Sequence, residues 1–236
     1  MGLVLGVLHL ILADSELETV PREIANHRVI KWSARRLGRR PTEILLNSSL
    51  HYPAMRRLPD GDRRGRPDIV HICLLLALDT PLNREGLLRT YVHTRHNKII
   101  TVDPSTRLPR MFNRFTGLIE HLFLTGEAPP EKPLLTLENA SLAELVGRIK
   151  PKKVISFSPR GQMRHYKDLF INTSKEDDVC VIIGGFPRGD FLSNVTELSN
   201  ELVSIYPELL RAPTVLMRAI FAYEDAFEIQ KIRQGR

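Results

Sequence analysis

The chain has 236 residues, 42% hydrophobic and 26% charged, and these proportions exclude a disordered or collagen-like protein. It carries 34 Lys and Arg against 27 Asp and Glu, a formal net charge of +7, and 25 of the basic residues are Arg. Arg presents a planar fork of donors that suits phosphates and base edges. The composition therefore favours a nucleic-acid partner without establishing one.

Hydrophobic periodicity, caps and turn residues predict the elements in chain order. Up to residue 133 they are a strand (3–13), a helix (21–37), a short strand (43–47), a polar loop (56–67), a helix (67–78), a hairpin (88–93 with 98–102), a helix (114–124) and a Pro-rich linker (128–133). Then follow strands at 134–137, 153–157, 179–183 and 202–205 and helices at 141–149, 166–171 and 211–229. This alternation predicts an α/β fold, a parallel sheet with helices on both faces.

The apolar amino terminus has about the length of a signal peptide, but no Lys or Arg precedes it and no small-residue cleavage site follows. We therefore interpret it as a buried strand. No apolar run approaches the roughly 20 residues of a membrane span. The two cysteines, Cys73 and Cys180, lie far apart in apolar runs and predict no disulfide framework. A soluble, cytoplasmic protein is expected.

The positive charge is concentrated. Residues 22–66 hold twelve Lys or Arg and four acids, a net charge of +8. A second group comprises Arg107, Arg110 and Arg114. If Pro109 marks a helix start, these three side chains project to one side. They are either solvated charges or an anion site, and we favour the anion site because unpaired cations oppose the dipole at a helix N-terminus.

Two further features suggest sites. Asp68, in the first turn of a predicted helix, lies close enough to hold the Arg66 guanidinium, although a first-turn Asp is common without such a role. Gly184, Gly185 and Gly189 directly follow a predicted strand, and residues 156–161 form a second predicted glycine-bearing loop after a strand. Neither loop has Walker or dinucleotide spacing, and a ligand-free turn is the default for each alone. Together they predict a shared ligand crevice. No His, Cys, Asp and Glu set has metal-site spacing, so no metal is expected.

Four separated motifs resemble the Nep-type (Emg-type) pseudouridine N1-methyltransferases of the SPOUT class, in their archaeal form. The motifs are HLILADSELE, GRPDIVHICLLLALDTPLN, RLPRMFNRFTGLIEHLF, and IIGGFPRGDF followed by ELVSIYP. The resemblance implies a single SPOUT domain over residues 1–236, a parallel sheet with a C-terminal trefoil knot. It also implies a basic, hairpin-bearing RNA-binding insertion at about 38–110 and a knotted cofactor-binding part at 150–236.

The resemblance further implies methyl transfer from S-adenosylmethionine to N1 of a pseudouridine in small-subunit ribosomal RNA, during ribosome biogenesis. It implies a homodimer, with ribosomal or assembly proteins as further candidate partners. Asp68 would brace Arg66 and is also a candidate base. The implied RNA-binding residues are Arg66, Arg107, Arg110 and Arg114. The implied cofactor-binding residues are Phe157, Gly184, Gly189, Ile205, Tyr206, Pro207, Glu208, Leu209 and Leu210.

Three alternatives stay open on the sequence. The chain is either this enzyme, an RNA-binding assembly factor with secondary or no catalysis, or a SPOUT methyltransferase that acts on another RNA position. An apolar stripe in the last predicted helix serves either a dimer surface or the protein's own core. That stripe comprises Val215, Leu216, Ala219, Ile220 and Tyr223.

Overall fold

The computed structural model describes residues 5–232. Its central strand, β1 (Leu8–Ser15), alternates between two apolar layers. Leu8, Leu10 and Leu12 pack into one layer, and Ile11 and Ala13 into the other. The run was predicted to begin at residue 3, but the strand begins at Leu8, and residues 3 and 4 lie outside the described range. Both faces of β1 are therefore covered, as the aliphatic run predicts.

The sheet has eight strands in the order β4-β5-β3-β2-β1-β7-β6-β8. The five strands from β2 to β8 in this order are parallel, whereas β3, β5 and β4 extend one side in antiparallel pairing. The predicted parallel α/β sheet is thus confirmed, with an antiparallel extension that begins at the predicted hairpin. Besides β1, the strands are β2 (Leu88–Thr94), β3 (Lys98–Val102), β4 (Glu127–Ala128), β5 (Leu135–Asn139), β6 (Lys153–Met163), β7 (Val179–Gly184) and β8 (Glu201–Ser204).

Helices cover both faces of the sheet, as predicted. Helices α3, α5 and α8 contribute to the larger apolar layer, α6 and α7 to the opposite layer, and α1 and α2 share a third, smaller cluster. The helices are α1 (Arg28–Leu37), α2 (Ser48–Met55), α3 (Pro67–Leu78), α4 (Pro81–Arg84), α5 (Phe112–Thr125), α6 (Leu142–Ile149), α7 (Val195–Leu198) and α8 (Ala212–Ala226). Within residues 5–232, no helix is long and apolar enough to cross a membrane.

Helix starts follow their local chemistry in α3 and α6. Pro67 opens α3 because its fixed φ suits the first helical position and its missing N–H has no partner there anyway. Ser141 caps α6 and forms a reciprocal capping box with Glu144. The helix predicted over 114–124 is α5, but the condition that Pro109 marks its start is not met. Pro109 stays outside this helix, which begins at Phe112, and the Pro109 carbonyl accepts a hydrogen bond from His71 Nε2 (2.8 Å).

Several predicted elements are shorter or different. The predicted helix over 21–37 is a 3-10 turn at Arg22–Ile24 followed by α1, because the His27 imidazole caps Val29 N and starts a new helix. The predicted strand over 43–47 forms only one bridge, between Thr19 and Leu45. The predicted helix over 166–171 is a 3-10 turn, and the last helix ends at Ala226.

The apolar stripe of α8 belongs to the protein's own core. Leu216, Ala219, Ile220 and Tyr223 are buried in the larger layer, and Val215 packs against it. The Tyr223 hydroxyl donates a hydrogen bond to the Gly6 carbonyl (2.8 Å). This stripe is therefore not the dimer surface suggested as one alternative. The trefoil knot, the homodimer and the division into an insertion and a cofactor part stay predictions.

Candidate functional site

A cavity of about 470 Å³ opens at the carboxyl ends of β7 and β8 and beside the middle of β6. Ligands bind at this edge of parallel sheets because the loops that follow the strands converge there. Residues 186–191 and 205–213 form most of its wall. The start of α3 contributes Arg66, Asp68, Ile69 and Ile72, and residues of β6, β7 and β8 complete the wall.

The structure brings together most of the residues assigned to the cofactor. Of the nine, only Pro207 is absent from the cavity wall. The other eight line the cavity: Phe157, Gly184, Gly189, Ile205, Tyr206, Glu208, Leu209 and Leu210. They come from three segments that are separate in the sequence, and their role in cofactor binding stays a prediction.

Glycine is required where the loop after β7 crosses the end of β1. A Cβ on Gly185 would lie 2.8 Å from the Cα of Ser15, closer than side chains approach backbone. Gly185 N donates a hydrogen bond to the Ala13 carbonyl (2.8 Å), which fixes this crossing. Gly189 has a φ of +83°, a left-handed conformation that favours glycine. Gly185 and Gly189 therefore determine the path of the loop that forms part of the cavity wall.

The second predicted glycine loop was wrong. Residues 156–161 belong to β6, which continues to Met163 with an irregularity between Phe157 and Gln162. Gly161 lies against the backbone of Val203, where a Cβ would come within 2.6 Å of the Val203 Cα. This glycine therefore permits close strand packing, while Phe157, Ser158 and Pro159 still line the cavity.

Sequence reasoning missed the anchor of the cavity loop. The Asp14 carboxylate accepts hydrogen bonds from Leu192 N (2.7 Å), Ser193 N (2.9 Å) and Ser193 Oγ (2.7 Å). Burial alone would raise the pKa of Asp14, but hydrogen bonds from His93 and Ser193 outweigh it and hold the pKa below its usual range. Asp14 also has a φ of +49°, rare for a non-glycine residue. In the sequence, Asp14 stood out only as a member of the motif HLILADSELE.

Two residues counted in the basic segment are structural. Arg63 pairs with buried Glu16 (Nε–Oε1 2.5 Å), donates to the Asp190 carbonyl (2.5 Å) and lies 4.0 Å from the centroid of the Phe186 ring. Arg64 pairs with Glu18 through two hydrogen bonds of 2.7 and 2.6 Å. Both arginines are buried. The net charge of +8 in residues 22–66 therefore overstates the basic surface.

Arg66 and Asp68 form the contact expected between them. The guanidinium donates from Nε to Oδ1 (2.8 Å) and from Nη2 to Oδ2 (2.7 Å). Burial alone would raise the pKa of Asp68, but the hydrogen bond and charge of Arg66 outweigh it and lower the pKa. Asp68 is thus ionised at neutral pH with both oxygens occupied. This arrangement favours bracing of Arg66 over a role as base.

Arg107, Arg110 and Arg114, hereafter the arginine trio, are exposed. Their side chains make no hydrogen bond or ion pair with any residue from 5 to 232. Arg114 is the third residue of α5, where an unpaired cation opposes the helix dipole. The trio's segment packs on α3, because His71, one turn after Asp68, contacts the Pro109 carbonyl and stacks on Phe115 (4.3 Å between ring centroids). The trio and the cavity therefore share α3.

Two further features concern metal ligands and the cysteines in the part of the chain that the structure describes. No cluster of His, Cys, Asp and Glu there could hold a metal ion. Burial raises the pKa of both Cys73 and Cys180 to about 12, so neither thiol is an activated nucleophile at neutral pH.

The fold and cavity define an α/β protein with a ligand site at the carboxyl ends of parallel strands. The profile of the EMG1/NEP1 methyltransferase family matches residues 10–224. The chain is 47% identical over 220 residues to the ribosomal RNA small subunit methyltransferase Nep1 of Thermococcus sibiricus, covering 93% of this chain and 99% of the relative. It is 49% identical to Nep1 of Pyrococcus furiosus, with 92% and 96% covered. The chain belongs to the EMG1/NEP1 methyltransferase family.

A solved structure matches at the level of the whole fold. The crystal structure of Archaeoglobus fulgidus Nep1 bound to S-adenosylhomocysteine superimposes with a TM-score of 0.81. The two sequences are 35% identical, and the match covers 94% of this chain and 98% of that one.

Proposed function

We propose that the protein transfers a methyl group from S-adenosylmethionine to N1 of a pseudouridine in small-subunit ribosomal RNA, as a step in small-subunit biogenesis. One observation carries the proposal: the Arg66–Asp68 pair and the glycine loop after β7 line the same cavity. The cavity therefore has room for a cofactor beside an arginine that is held for an anionic or polar partner. The similar proteins of Thermococcus sibiricus and Pyrococcus furiosus are ribosomal RNA small subunit methyltransferases, which supports methyl transfer and the class of RNA.

The cavity fits S-adenosylmethionine in size and lining. Ligand cavities range from roughly 300 to 1,000 Å³, and this one has about 470 Å³. Tyr206 and Leu209 line it yet are more than half exposed, as expected for side chains that a bound ligand covers. Backbone groups at Gly184 and Gly189 would hold the polar parts of the cofactor. When bound, S-adenosylmethionine supplies an electrophilic methyl group.

The chain's own residues align the reactants and stabilise charge. N1 of pseudouridine releases its proton to solvent during methylation, so negative charge develops on the base. Arg66, fixed in direction by Asp68, would stabilise that charge from the cavity wall. The arginine trio would hold the phosphates of the RNA loop while the target base turns into the cavity. Asp68 would then influence the RNA by orienting the Arg66 guanidinium.

The proposed division of the chain into an RNA-binding insertion and a cofactor-binding part is supported by the residues that line the cavity. Apart from Arg66 and three residues of α3, its wall comes entirely from residues 157–215. These residues fall within the proposed cofactor part, 150–236. The proposed insertion at about 38–110 contains Arg66, Asp68, Arg107 and Arg110, whereas Arg114 lies just beyond it.

A homodimer in the cytoplasm belongs to the same proposal. Ile72 and Leu76 on α3 and Phe221 on α8 are exposed apolar side chains, and α3 packs against α8. Such side chains on neighbouring helices provide a surface for a second copy. Sedimentation equilibrium is expected to give twice the mass of the chain, and a monomer would remove the dimer from the proposal.

The decisive experiment compares two RNA hairpins that differ in one loop nucleotide. With methyl-labelled S-adenosylmethionine, the protein is expected to label a hairpin with a loop pseudouridine and leave its uridine counterpart unlabelled. Equal labelling of both would show a different target position. Calorimetry with S-adenosylmethionine tests the assembly-factor alternative, because no heat of binding at high micromolar cofactor would favour that alternative.

A further inference from the structure

Helix α1 presents a basic face outside the cavity and the trio. The helix contains no acid and carries four exposed cations, Arg28, Lys31, Arg35 and Arg36. Their side chains form no ion pair or hydrogen bond with other residues in the range 5–232. Trp32, the only tryptophan of the chain, lies among them and is 54% exposed.

Folding does not account for this face. The opposite side of α1 packs into the smaller apolar cluster through Ile30 and Ala34, whereas Trp32 takes no part in that cluster. Arg35 and Arg36 in the last turn complement the helix dipole, but Arg28 at the first helical position opposes it. An exposed indole and an uncompensated first-turn cation indicate a binding surface.

The arrangement around Trp32 suits a nucleobase. The Arg36 guanidinium lies 4.9 Å from the centroid of the indole ring. A surface depression beside the indole is lined by Arg28, Val29, Lys31, Trp32 and Arg35. Proteins that bind single-stranded nucleic acids combine such features, because bases stack on aromatic rings while nearby cations contact the phosphates. Arginine beside the ring adds a cation–π contribution.

The α1 face is linked to the arginine trio. Arg39, two residues beyond α1, lies 3.6 Å from Glu120 of α5 (Nε–Oε2), and Glu120 also accepts a hydrogen bond from Leu45 N (3.0 Å). Arg114 precedes Glu120 by six residues on α5, which corresponds to about 9 Å along the helix. The segment that follows α1 therefore contacts the same helix that carries Arg114.

We propose that the exposed face of α1 binds a single-stranded RNA segment that flanks the methylated loop. Trp32 stacks on one base of this segment, and Arg28, Lys31 and Arg35 contact its phosphates. The inference rests on the proposed function for RNA as the partner, but it adds a contact outside the cavity and the trio. The α1 face thereby extends recognition beyond the loop that enters the cavity.

The test uses two RNAs with the same pseudouridine-containing hairpin. One is blunt, and the other carries single-stranded extensions of about eight nucleotides at both ends. Trp32 is the sole tryptophan, so protein fluorescence reports directly on stacking. The extended RNA is expected to quench this fluorescence and to bind more tightly than the blunt hairpin. Trp32→Ala is expected to lower the affinity for the extended RNA by roughly 5- to 100-fold. Its affinity for the blunt hairpin is expected to stay unchanged.

Trp32→Phe is the matched control, because it keeps an aromatic ring and is expected to retain most of the added affinity. Methylation of the blunt hairpin by Trp32→Ala shows that the variant is folded. Equal affinity of the wild type for both RNAs, or no loss in Trp32→Ala, overturns the inference and leaves the proposed function standing. If the wild type binds neither RNA, both the inference and the proposed function fail.

Discussion

Asp68 and Arg66 meet across the start of α3, where one carboxylate accepts two parallel hydrogen bonds from one guanidinium. The contact fixes both the position and the plane of the guanidinium in the cavity wall. A lysine in place of Arg66 would lack this fork, so the pair selects arginine specifically.

Asp68→Asn tests whether the carboxylate braces Arg66 or acts as a base. Asparagine keeps one acceptor and removes the charge, so the Arg66 side chain loses part of its orientation. We expect RNA affinity to fall about fivefold, roughly 1 kcal/mol for a half-exposed pair, while cofactor affinity measured by calorimetry stays the same. A rate at saturating RNA that falls more than about a hundredfold, with RNA affinity unchanged, would instead identify Asp68 as the base.

Arg110→Ala tests the arginine trio as a phosphate contact. Removal of one such contact is expected to weaken RNA binding and to reduce the slope of log affinity against log salt by about 0.7 for a single strand. Arg148→Ala is a matched control, because Arg148 is exposed but pairs with Glu138 beside α6, on the other face of the sheet. An unchanged slope would remove Arg110 from the RNA contacts.

The sequence predicts best where local chemistry determines structure. The bounds of α3 follow from Pro67 and a continuous apolar run, and the hairpin follows from two β-branched runs around a turn. The Arg66–Asp68 contact joins neighbours in the chain and was also expected. Arg63 and Arg64 were misassigned because their partners, Glu16 and Glu18, lie 46 or 47 residues earlier. A charge count cannot separate buried pairs from surface charges.

The cavity also combines features that local sequence predicts with contacts between residues far apart in the chain. Its glycines and strand ends are local signals, whereas the Asp14 anchor joins residues 178 and 179 positions apart. Phe186 and Phe191, which contact each other edge to face at 5.3 Å, had no recognisable pattern in the sequence. The Asp14 contacts depend on how strands β1 and β7 pair, and periodicity carries no information about strand partners.

Arg63→Met tests the buried ion pair with Glu16. Loss of the guanidinium leaves Glu16 with Arg95 as its remaining charged partner and removes the hydrogen bond to Asp190. We expect the free energy of unfolding, measured in urea, to fall by about 3 kcal/mol.

Arg188→Met is the control for Arg63→Met, because Arg188 pairs with Asp62 and both side chains are at least 60% exposed. Its effect is expected to stay within about 1 kcal/mol. Equal effects of the two substitutions would contradict a structural role for Arg63.

Gly185→Ala tests the loop crossing. The added methyl group meets the Ser15 backbone, so the loop is displaced and cofactor affinity is expected to fall at least tenfold, roughly 1.4 kcal/mol. Gly117→Ala is the matched control, because this helical glycine has open space around it and alanine favours helix. The control is expected to bind cofactor normally and to be slightly more stable. Normal cofactor binding by Gly185→Ala would contradict the crossing's role.

The buried side chain of His51 leads us to expect that the protein loses stability in acid. Its ring is buried between Asn47 N and Ser33 Oγ, and burial lowers its pKa from 6.5 to about 4. The unfolded chain therefore binds more protons between these values, so the stabilising contribution is complete above pH 6.5 and is lost as the pH falls towards 4. The free energy of unfolding should drop by about 3 kcal/mol more in the wild type than in His51→Gln between pH 7 and 4. Parallel pH profiles would exclude this role.

The hydrogen bonds from the loop after β7 to Asp14 also set an order of events during translation. A nascent chain of about 150 residues already contains α1, the trio and α3, but of the cavity wall it holds only the residues at the start of α3. The hydrogen-bond partners of Asp14 leave the ribosome about 180 residues after Asp14 itself. Contacts of such long sequence separation close late in folding. A product that ends before β6 would therefore contain the arginines in its sequence but lack most of the cavity wall, so cofactor binding reports on a chain that extends through α8.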